Sequence, residues 1–462
     1  MIKKCDVLYI HSTKNPTNDN CLKYAYMPMG IIGILNNLRV LNFEVYGINY
    51  AIEKTLDPDF NILTFFKNIE YKVLLTDLHW YEHAFGAMHI VSESKKAHPE
   101  IPTIIGGYTS TIYSEEIMKN FNDVDYVVTG DSDLPMEMLI KNILKTENIS
   151  VEDIPNIWYR KNKEIIKSNK TWVQTDLDNI NFIDVDFFEH SDKIPYLSCG
   201  GANRQSSERW ICIARGCKFN CAYCCGANKN MNALFNRCNI LLRSPKKVAE
   251  DFCKLAKQGI NHVSPSHDLQ MFGEKYYKEI FSNIRKSGSK PGMYLECFQL
   301  PTKEFINEIE KTFDIKNTIL ALSPISGNEK LRKENGKIFN NNDFYNVIEF
   351  ILSKKISVQV YYTANIVGET KEEFMDTYFQ MQYLHVAFGF DKNQIFYQRI
   401  VIDPLAGMRD FKGIEVTYNT FMDYYEYCKI KKENSYCVTG FGSNSELTFT
   451  EKKRIYNSIF SK

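Results

Sequence analysis

Short apolar runs alternate with amphipathic stretches over most of this chain. In the first third, Asp6–Ile10, Glu44–Ile48, Lys72–Thr76, Thr103–Ile105 and Tyr126–Val128 are brief β-rich runs, and Gly30–Val40 carries apolar residues at helical spacing. Strands alternating with helices predict an α/β fold with a parallel, doubly wound (Rossmann-like) sheet over residues 1–145. The pattern loosens over residues 146–205, where Pro155, Pro195 and the Gly200-Gly201 pair predict a connecting segment with one small strand pair at Ile157–Ile166. It resumes from Arg209, with strands expected at Trp210–Ala214, Asn261–Pro265, Gly292–Glu296, Thr318–Leu322, Ile356–Tyr361 and Gln394–Val401. Ser244-Pro245 opens an amphipathic helix as cap and first turn. These repeats over residues 206–410 predict a partial (β/α)6 barrel of the TIM type, with chemistry at the carboxyl ends of its strands. Residues 411–462 are rich in Tyr and Lys, end in a helix near Thr450–Ile459, and are expected to cover the barrel.

A length of 462 residues exceeds one ordinary core, which agrees with two or three domains. Lys+Arg and Asp+Glu both number 56, and a neutral chain is poorly placed to neutralise a phosphate backbone, so a nucleic-acid partner is disfavoured. Apolar content of 44% with 24% charged residues is that of a globular protein, and no apolar run is long enough to span a membrane. Met1-Ile2-Lys3-Lys4 leads directly into Val7-Leu8-Tyr9-Ile10 with no signal-peptide pattern. An odd count of 13 cysteines spread over the chain argues against a disulfide framework, and the expected location is the reducing cytoplasm.

The chemistry concentrates in Arg215-Gly216-Cys217-Lys218-Phe219-Asn220-Cys221-Ala222-Tyr223-Cys224, a Cx3Cx2C run. Three thiolates can hold three irons of a [4Fe–4S] cluster and leave the fourth iron for a substrate's nitrogen and oxygen. A tetrahedral zinc site would want a fourth ligand at comparable spacing, and Cys225, adjacent to Cys224, is poorly placed to supply it. Two glycine-bearing segments follow expected strands: Gly106-Gly107-Tyr108-Thr109-Ser110 and Gly130-Asp131-Ser132-Asp133. Glycine there would let a bulky ligand approach the backbone, and the hydroxyls could bond to it.

The cysteine run resembles the cluster motif of the radical S-adenosylmethionine enzymes, closest to the form in their cobalamin-binding branch and in the methylthiotransferases. The resemblance implies that Cys217, Cys221 and Cys224 ligate the cluster and that Tyr223 lies near the adenine of S-adenosylmethionine. It further implies S-adenosylmethionine contacts at Asp268, Glu296, Ser323, Ser326, Arg332 (for the carboxylate) and Gly368. Asp403-Pro404-Leu405-Ala406-Gly407-Met408 resembles a sixth-strand loop of the cobalamin-binding members, departing from their commoner form at Leu405 and Ala406. The ordered glycine segments resemble the preceding cobalamin-binding domain, which places Pro28, Gly30, Leu78, His79, Trp80, Gly106, Gly107, Thr109, Ser110, Gly130 and Asp131 around a cobalamin. Asp77-Leu78-His79 starts like the motif that sets a histidine under cobalt, but the glycine that should follow is missing. His79 is therefore either a chance resemblance or a residue facing the lower side of the corrin.

The activity so implied is methylation of an unactivated carbon in a small molecule, natural product or peptide, through a 5′-deoxyadenosyl radical and methylcobalamin, with an electron donor of flavodoxin or ferredoxin type. Two alternatives remain: a non-methylating cyclisation or rearrangement with the same cofactors, or a radical enzyme whose N-terminal domain only docks a substrate or carrier.

Overall fold

A computed structural model describes residues 3–17, 25–197, 206–364, 366, 369–399, 403–410, 414–416, 418–430, 441–443 and 447–461. The chain divides into two compact units, residues 1–200 with 230–241 and 418–438, and residues 201–229 with 242–417 and 439–462.

The first unit is built on β1 (Lys3–His11), α1 (Met29–Val40), β2 (Val45–Asn49), α2 (Tyr50–Leu56), α3 (Ile62–Lys67), β3 (Ile69–Asp77), α4 (Ala84–Ala97), β4 (Thr103–Gly106), α5 (Tyr108–Ile112), α6 (Ser114–Asn120), β5 (Tyr126–Val128) and α7 (Asp133–Leu144). The strand order is β2-β1-β3-β4-β5, all parallel, extended antiparallel by the hairpin β6 (Ile157–Lys161) and β7 (Glu164–Lys167). The connecting stretch thus adds two strands to the first sheet, with Val127 opposite Trp158 and Trp158 opposite Lys167. Val7, Leu8, Tyr9 and Ile10 in β1 and Val73 and Leu74 in β3 are all 0% exposed, because these central strands are covered on both faces. The strand order reverses between β1 and β3, the topological switch point at which sheets of this order bind ligands.

The second unit contains β8 (Glu208–Ile211), α8 (Pro245–Lys257), β9 (His262–Pro265), α9 (Glu274–Lys286), β10 (Met293–Cys297), α10 (Lys303–Thr312), β11 (Thr318–Ile325), α11 (Glu329–Glu334), α12 (Asn341–Ser353), β12 (Ser357–Ala364), α13 (Lys371–Phe388) and β13 (Ile395–Arg399). Six parallel strands lie in sequence order from β8 to β13. Ser244 caps α8, its hydroxyl accepting the Lys247 N–H at 3.4 Å, with Pro245 in the first turn. The apolar face of α9 comprises Tyr277, Ile280, Phe281 and Ile284 at helical spacing. Phe281 packs against Phe305 and Phe313, ring centroids 5.7 and 5.0 Å away, and truncating such a side chain costs about 3–5 kcal/mol.

The C-terminal stretch serves both units. Helix α14 (Phe421–Ile430) packs on α4 in the first unit, with Tyr424 against Tyr81 and Tyr425 against Phe85. Helix α15 (Phe449–Ser458) belongs to the second, where the Tyr456 hydroxyl donates to the Ile395 carbonyl at 2.7 Å. Among the described residues no helix is long and apolar enough to cross a membrane.

Candidate active site

The cysteine run follows the end of β8. Gly216, at φ 93°, turns the chain into the loop, and a side chain would strain that backbone. Asn228 closes it from the far side: its side-chain amide donates to the Cys217 carbonyl, and its backbone N–H donates to the Phe219 carbonyl, both at 2.9 Å. Cys217, Cys221 and Cys224 are half-buried, whereas Cys225 is buried. Burial pushes the Cys217 thiol up, and the Cys221 thiolate adds to it. The Cys224 thiol is driven to about 12 by burial, then Asp403, then Cys221 and Cys217. The charge of a neighbouring sulfur opposes ionisation of Cys217 and of Cys224, and a cationic iron core at this loop would relieve that repulsion.

Of the residues expected around these thiols, Tyr223 lies beside Cys221 and Cys224, and the Glu296 charge acts on Tyr223. Burial and then the Cys221 and Cys224 charges hold the Tyr223 phenol high. The Glu296 carboxyl reaches solvent, yet the surrounding protein and the Glu208 carboxylate raise it. Asp268 is spent on the backbone: its carboxylate accepts the N–H groups of Gln270 at 3.0 Å and Phe298 at 2.9 Å, tying the loop after β9 to that after β10. Ser323 sits half-buried where β11 shifts register against β12, and Ile325 just beyond has φ 61°. A β-branched residue there is a strained backbone position, held by its surroundings. Ser326 is buried, its hydroxyl bonded to Thr377 Oγ1 of α13 at 3.1 Å. Arg332 is also turned inward, with its guanidinium among the carbonyls of Ser326, Gly327 and Phe339. Gly368 lies outside the described residues.

Sequence reasoning missed Lys337, whose ammonium is buried, donates to the Phe298 carbonyl at 2.6 Å and is held low by burial. The charges around it are Cys221, Asp268, Cys297 and Glu296. No motif marks it; only the turn at Gly336 aims it inward. His267 was missed as well. Its Nδ1 meets the Ser266 hydroxyl at 2.8 Å and its Nε2 meets the Gly216 carbonyl at 3.0 Å, bracing the start of the cysteine loop.

In the first unit, the predicted cobalamin residues lie on the segments that follow β1, β3, β4 and β5. Pro28 precedes α1, and Gly30 faces open space. The Leu78 N–H donates to the Gly106 carbonyl at 2.7 Å, and Thr109 donates to the His79 carbonyl from its N–H (3.2 Å) and its hydroxyl (2.8 Å). The Ser110 hydroxyl donates to the Gly107 carbonyl at 3.0 Å, and the Gly130 N–H donates to Thr111 Oγ1 at 3.0 Å. Asp131 accepts the Gln174 N–H at 2.9 Å and pairs with Arg237. A Cβ on Gly107 would lie 2.8 Å from the backbone of Leu78 and His79, so this glycine is required by the neighbouring strand end rather than by a ligand.

His79 packs edge-on to Trp80 and Tyr108, with centroids 4.8 and 6.0 Å away. Behind them, Asp77 Oδ1 accepts from the Tyr9 hydroxyl at 2.6 Å and pairs with His11 Nδ1 at 2.8 Å, with His83 adjoining. These donors bridge the ends of β1 and β3. Asp77 Oδ2 and Thr13 Oγ1 are buried without a hydrogen-bond partner among the described residues. Such orphaned polar atoms at a switch point are consistent with a bound polar ligand.

No family model matches the chain, and no curated protein does. Solved structures do. The radical S-adenosylmethionine methyltransferase TsrM from Kitasatospora setae, solved with cobalamin and a [4Fe–4S] cluster, superposes with TM-score 0.62 at 13% identity, covering 90% of this chain and 77% of that one. The same enzyme with tryptophan substrate and an S-adenosylmethionine analogue gives 0.64 at 13% identity over 91% and 82%. The cobalamin-dependent S-adenosylmethionine radical enzyme OxsB, with aqua-cobalamin bound, gives 0.59 at 10% identity over 92% of this chain and 55% of its own. The chain has the fold of the cobalamin-dependent radical S-adenosylmethionine enzymes.

Proposed function

We propose that this protein is a cobalamin-dependent radical S-adenosylmethionine methylase acting on an unactivated carbon of a small molecule, natural product or peptide. The observation that carries the reading is the set of three half-buried thiols at the end of the first strand of a six-stranded parallel sheet, in a chain of that fold. On this reading the six strands form a partial (β/α)6 barrel. Cys217, Cys221 and Cys224 hold the cluster, and Tyr223, Glu296 and Ser323 face S-adenosylmethionine. Asp268, Ser326 and Arg332, spent on protein partners, shape the loops around it. The strand-end loops of the first unit, from Pro28 to Asp131, receive cobalamin, and Asp77 Oδ2 and Thr13 Oγ1 are available to its polar groups. When bound, the cluster and S-adenosylmethionine supply a carbon radical and cobalamin supplies a methyl group. The chain's own share is to aim these groups and exclude water, which calls for positioning rather than a general acid or base.

The experiment is anaerobic purification with cofactor quantification, followed by turnover with methyl-deuterated S-adenosylmethionine and product mass analysis. Bound cobalamin and product carrying the labelled methyl group are expected. A chain purified with cluster but unable to take up cobalamin would support the docking role for the first unit. S-adenosylmethionine cleavage with an unlabelled, altered product would support cyclisation or rearrangement.

A further inference from the structure

The carboxyl ends of β1 and β3 bring two histidines and an aspartate together in the first unit. Ile10 pairs with Thr76 in register, and the Thr76 hydroxyl donates to the Ile10 carbonyl at 2.9 Å. The next residues of the two strands, His11 and Asp77, therefore stand side by side. His83 reaches them from the single turn Tyr81–His83, in which its N–H donates to the Trp80 carbonyl at 3.0 Å. The His11 and His83 ring centroids are 5.2 Å apart, and Trp80 packs edge-on to both, at 6.3 and 5.9 Å. His11 and His83 are 0% exposed, and Asp77 is 4% exposed.

Each of the three offers one ligand atom, a ring nitrogen or a carboxylate oxygen, and these atoms all lie within 4.8 Å of one another. Ligands of one zinc ion stand roughly 3–3.5 Å apart, so small side-chain rotations complete the set. The hydrogen bonds point the same way. The Tyr9 hydroxyl and His11 Nδ1 both converge on Asp77 Oδ1, at 2.6 and 2.8 Å. Asp77 Oδ2 is buried without a hydrogen-bond partner among the described residues. A carboxylate that served only hydrogen bonds would share its donors between both oxygens. Crowding them on Oδ1 orients the group, as an outer-shell partner orients a metal ligand, and leaves Oδ2 for a cation.

We propose that His11, Asp77 and His83 bind a divalent transition-metal ion of the zinc class, which pins the ends of β1 and β3 and the turn that follows β3. Two imidazoles and one carboxylate suit such an ion, whereas calcium and magnesium want oxygen ligands. Three protein ligands leave a further position to water. The ion takes Asp77 Oδ2 and leaves Thr13 Oγ1 to cobalamin, and the site stands whether or not the radical reading does.

The test is equilibrium binding of zinc to the cluster-loaded full chain, with zinc X-ray absorption to read the ligand atoms. A chain that takes no cluster is measured instead as the Cys217→Ala, Cys221→Ala, Cys224→Ala triple variant, which removes the competing thiols. One zinc per chain is expected, with nitrogen and oxygen ligands at about 2.0–2.2 Å, imidazole scattering and no sulfur. Tyr9→Phe removes the outer hydrogen bond to Asp77 and should weaken zinc binding roughly 10- to 100-fold. His83→Gln and Asp77→Asn each remove a ligand and should weaken it beyond about 100-fold. Circular dichroism checks that each variant is folded, and His11→Gln replaces His83→Gln if that variant is not. Zinc bound through sulfur, no zinc on the folded wild-type chain, or equal binding by wild type, His83→Gln and Asp77→Asn overturns the site.

Discussion

Asp403 accepts the backbone N–H of Cys225 through Oδ2 at 3.0 Å, and its own N–H donates to the Tyr223 carbonyl at 3.3 Å. The loop after β13 therefore grips the cysteine loop on both sides of Cys224. Removing the acceptor leaves a buried amide unsatisfied, a cost of about 1–3 kcal/mol. Asp403→Ala is expected to lose iron faster than wild type under mild chelation, whereas Asp403→Asn, which keeps an acceptor oxygen, should stay close to wild type. Equal iron loss in wild type and Asp403→Ala would show that the grip does not matter.

Cys217→Ala, Cys221→Ala and Cys224→Ala should each abolish the iron–sulfur absorbance. Cys225→Ala should keep it, since Cys225 holds Asp403 through its backbone N–H, which alanine retains. Iron content per chain and the visible spectrum decide this; dependence on Cys225 with Cys224 dispensable would shift the ligand register by one.

Gly107 and Gly106 are adjacent yet should respond differently to substitution. Gly107 has φ 120° and has the Leu78–His79 backbone 2.8 Å from where a Cβ would sit, so Gly107→Val should destabilise the first unit by roughly 3 kcal/mol or more. At Gly106 the nearest atom to such a Cβ is the Val128 carbonyl oxygen at 3.7 Å, an ordinary contact. Gly106→Ala should therefore cost under about 1 kcal/mol. Denaturant melts followed by circular dichroism measure both; a Gly107→Val midpoint equal to wild type contradicts the packing.

Burial pulls the His83 imidazole down to about 3 and the His79 imidazole to about 4, from 6.5. Below pH 6.5 the unfolded chain takes up protons that the folded chain refuses, so stability present above 6.5 is lost as pH falls towards 4. Each group contributes a slope of at most about 1.4 kcal/mol per pH unit. His83→Gln should flatten the acid limb of the stability profile whatever its effect on stability at neutral pH. An unchanged slope would mean that His83 is not buried as a neutral ring.

Lys452 of α15 pairs with Glu369 at the start of α13, and both side chains are almost wholly buried. Burial raises the Glu369 carboxyl, and the ammonium opposes that rise. Lys452→Met leaves a buried acid alone and should cost about 3–5 kcal/mol, while Lys452→Met with Glu369→Gln should recover much of it. Thermal melts of the three proteins form the cycle; additive losses would rule out the pairing.

The strands were legible because each is a short apolar run between turn residues: β4 and β5 fall on Thr103–Ile105 and Tyr126–Val128, and β9 on Asn261–Pro265. The place of the β6–β7 hairpin was not, since nothing local in Ile157–Lys161 says that its partner is β5. The cysteine spacing was legible because one loop holds all three thiols. Arg332 misled for the opposite reason. Its position on a helix could be read, but its direction is set by the carbonyls of Ser326 and Phe339, which the fold brings to it. Lys337 depends on the turn at Gly336 and on Phe298, residues without a motif of their own.

The division of labour in the C-terminal stretch has a consequence for how the protein is made. Helix α14 completes the core of the first unit beside α4, and Asn15, just past β1, donates through its side-chain amide to the Cys428 and Lys429 carbonyls at 3.1 and 2.9 Å. A ribosome that has finished the first sheet has therefore not yet delivered the helix that seals it. The nascent first unit must wait, with the α4 surface around Tyr81 and Phe85 unsealed, while the whole β8–β13 sheet is synthesised. Such an interval favours non-native association, so yield should depend on chaperone supply during translation more than on the stability of the finished chain.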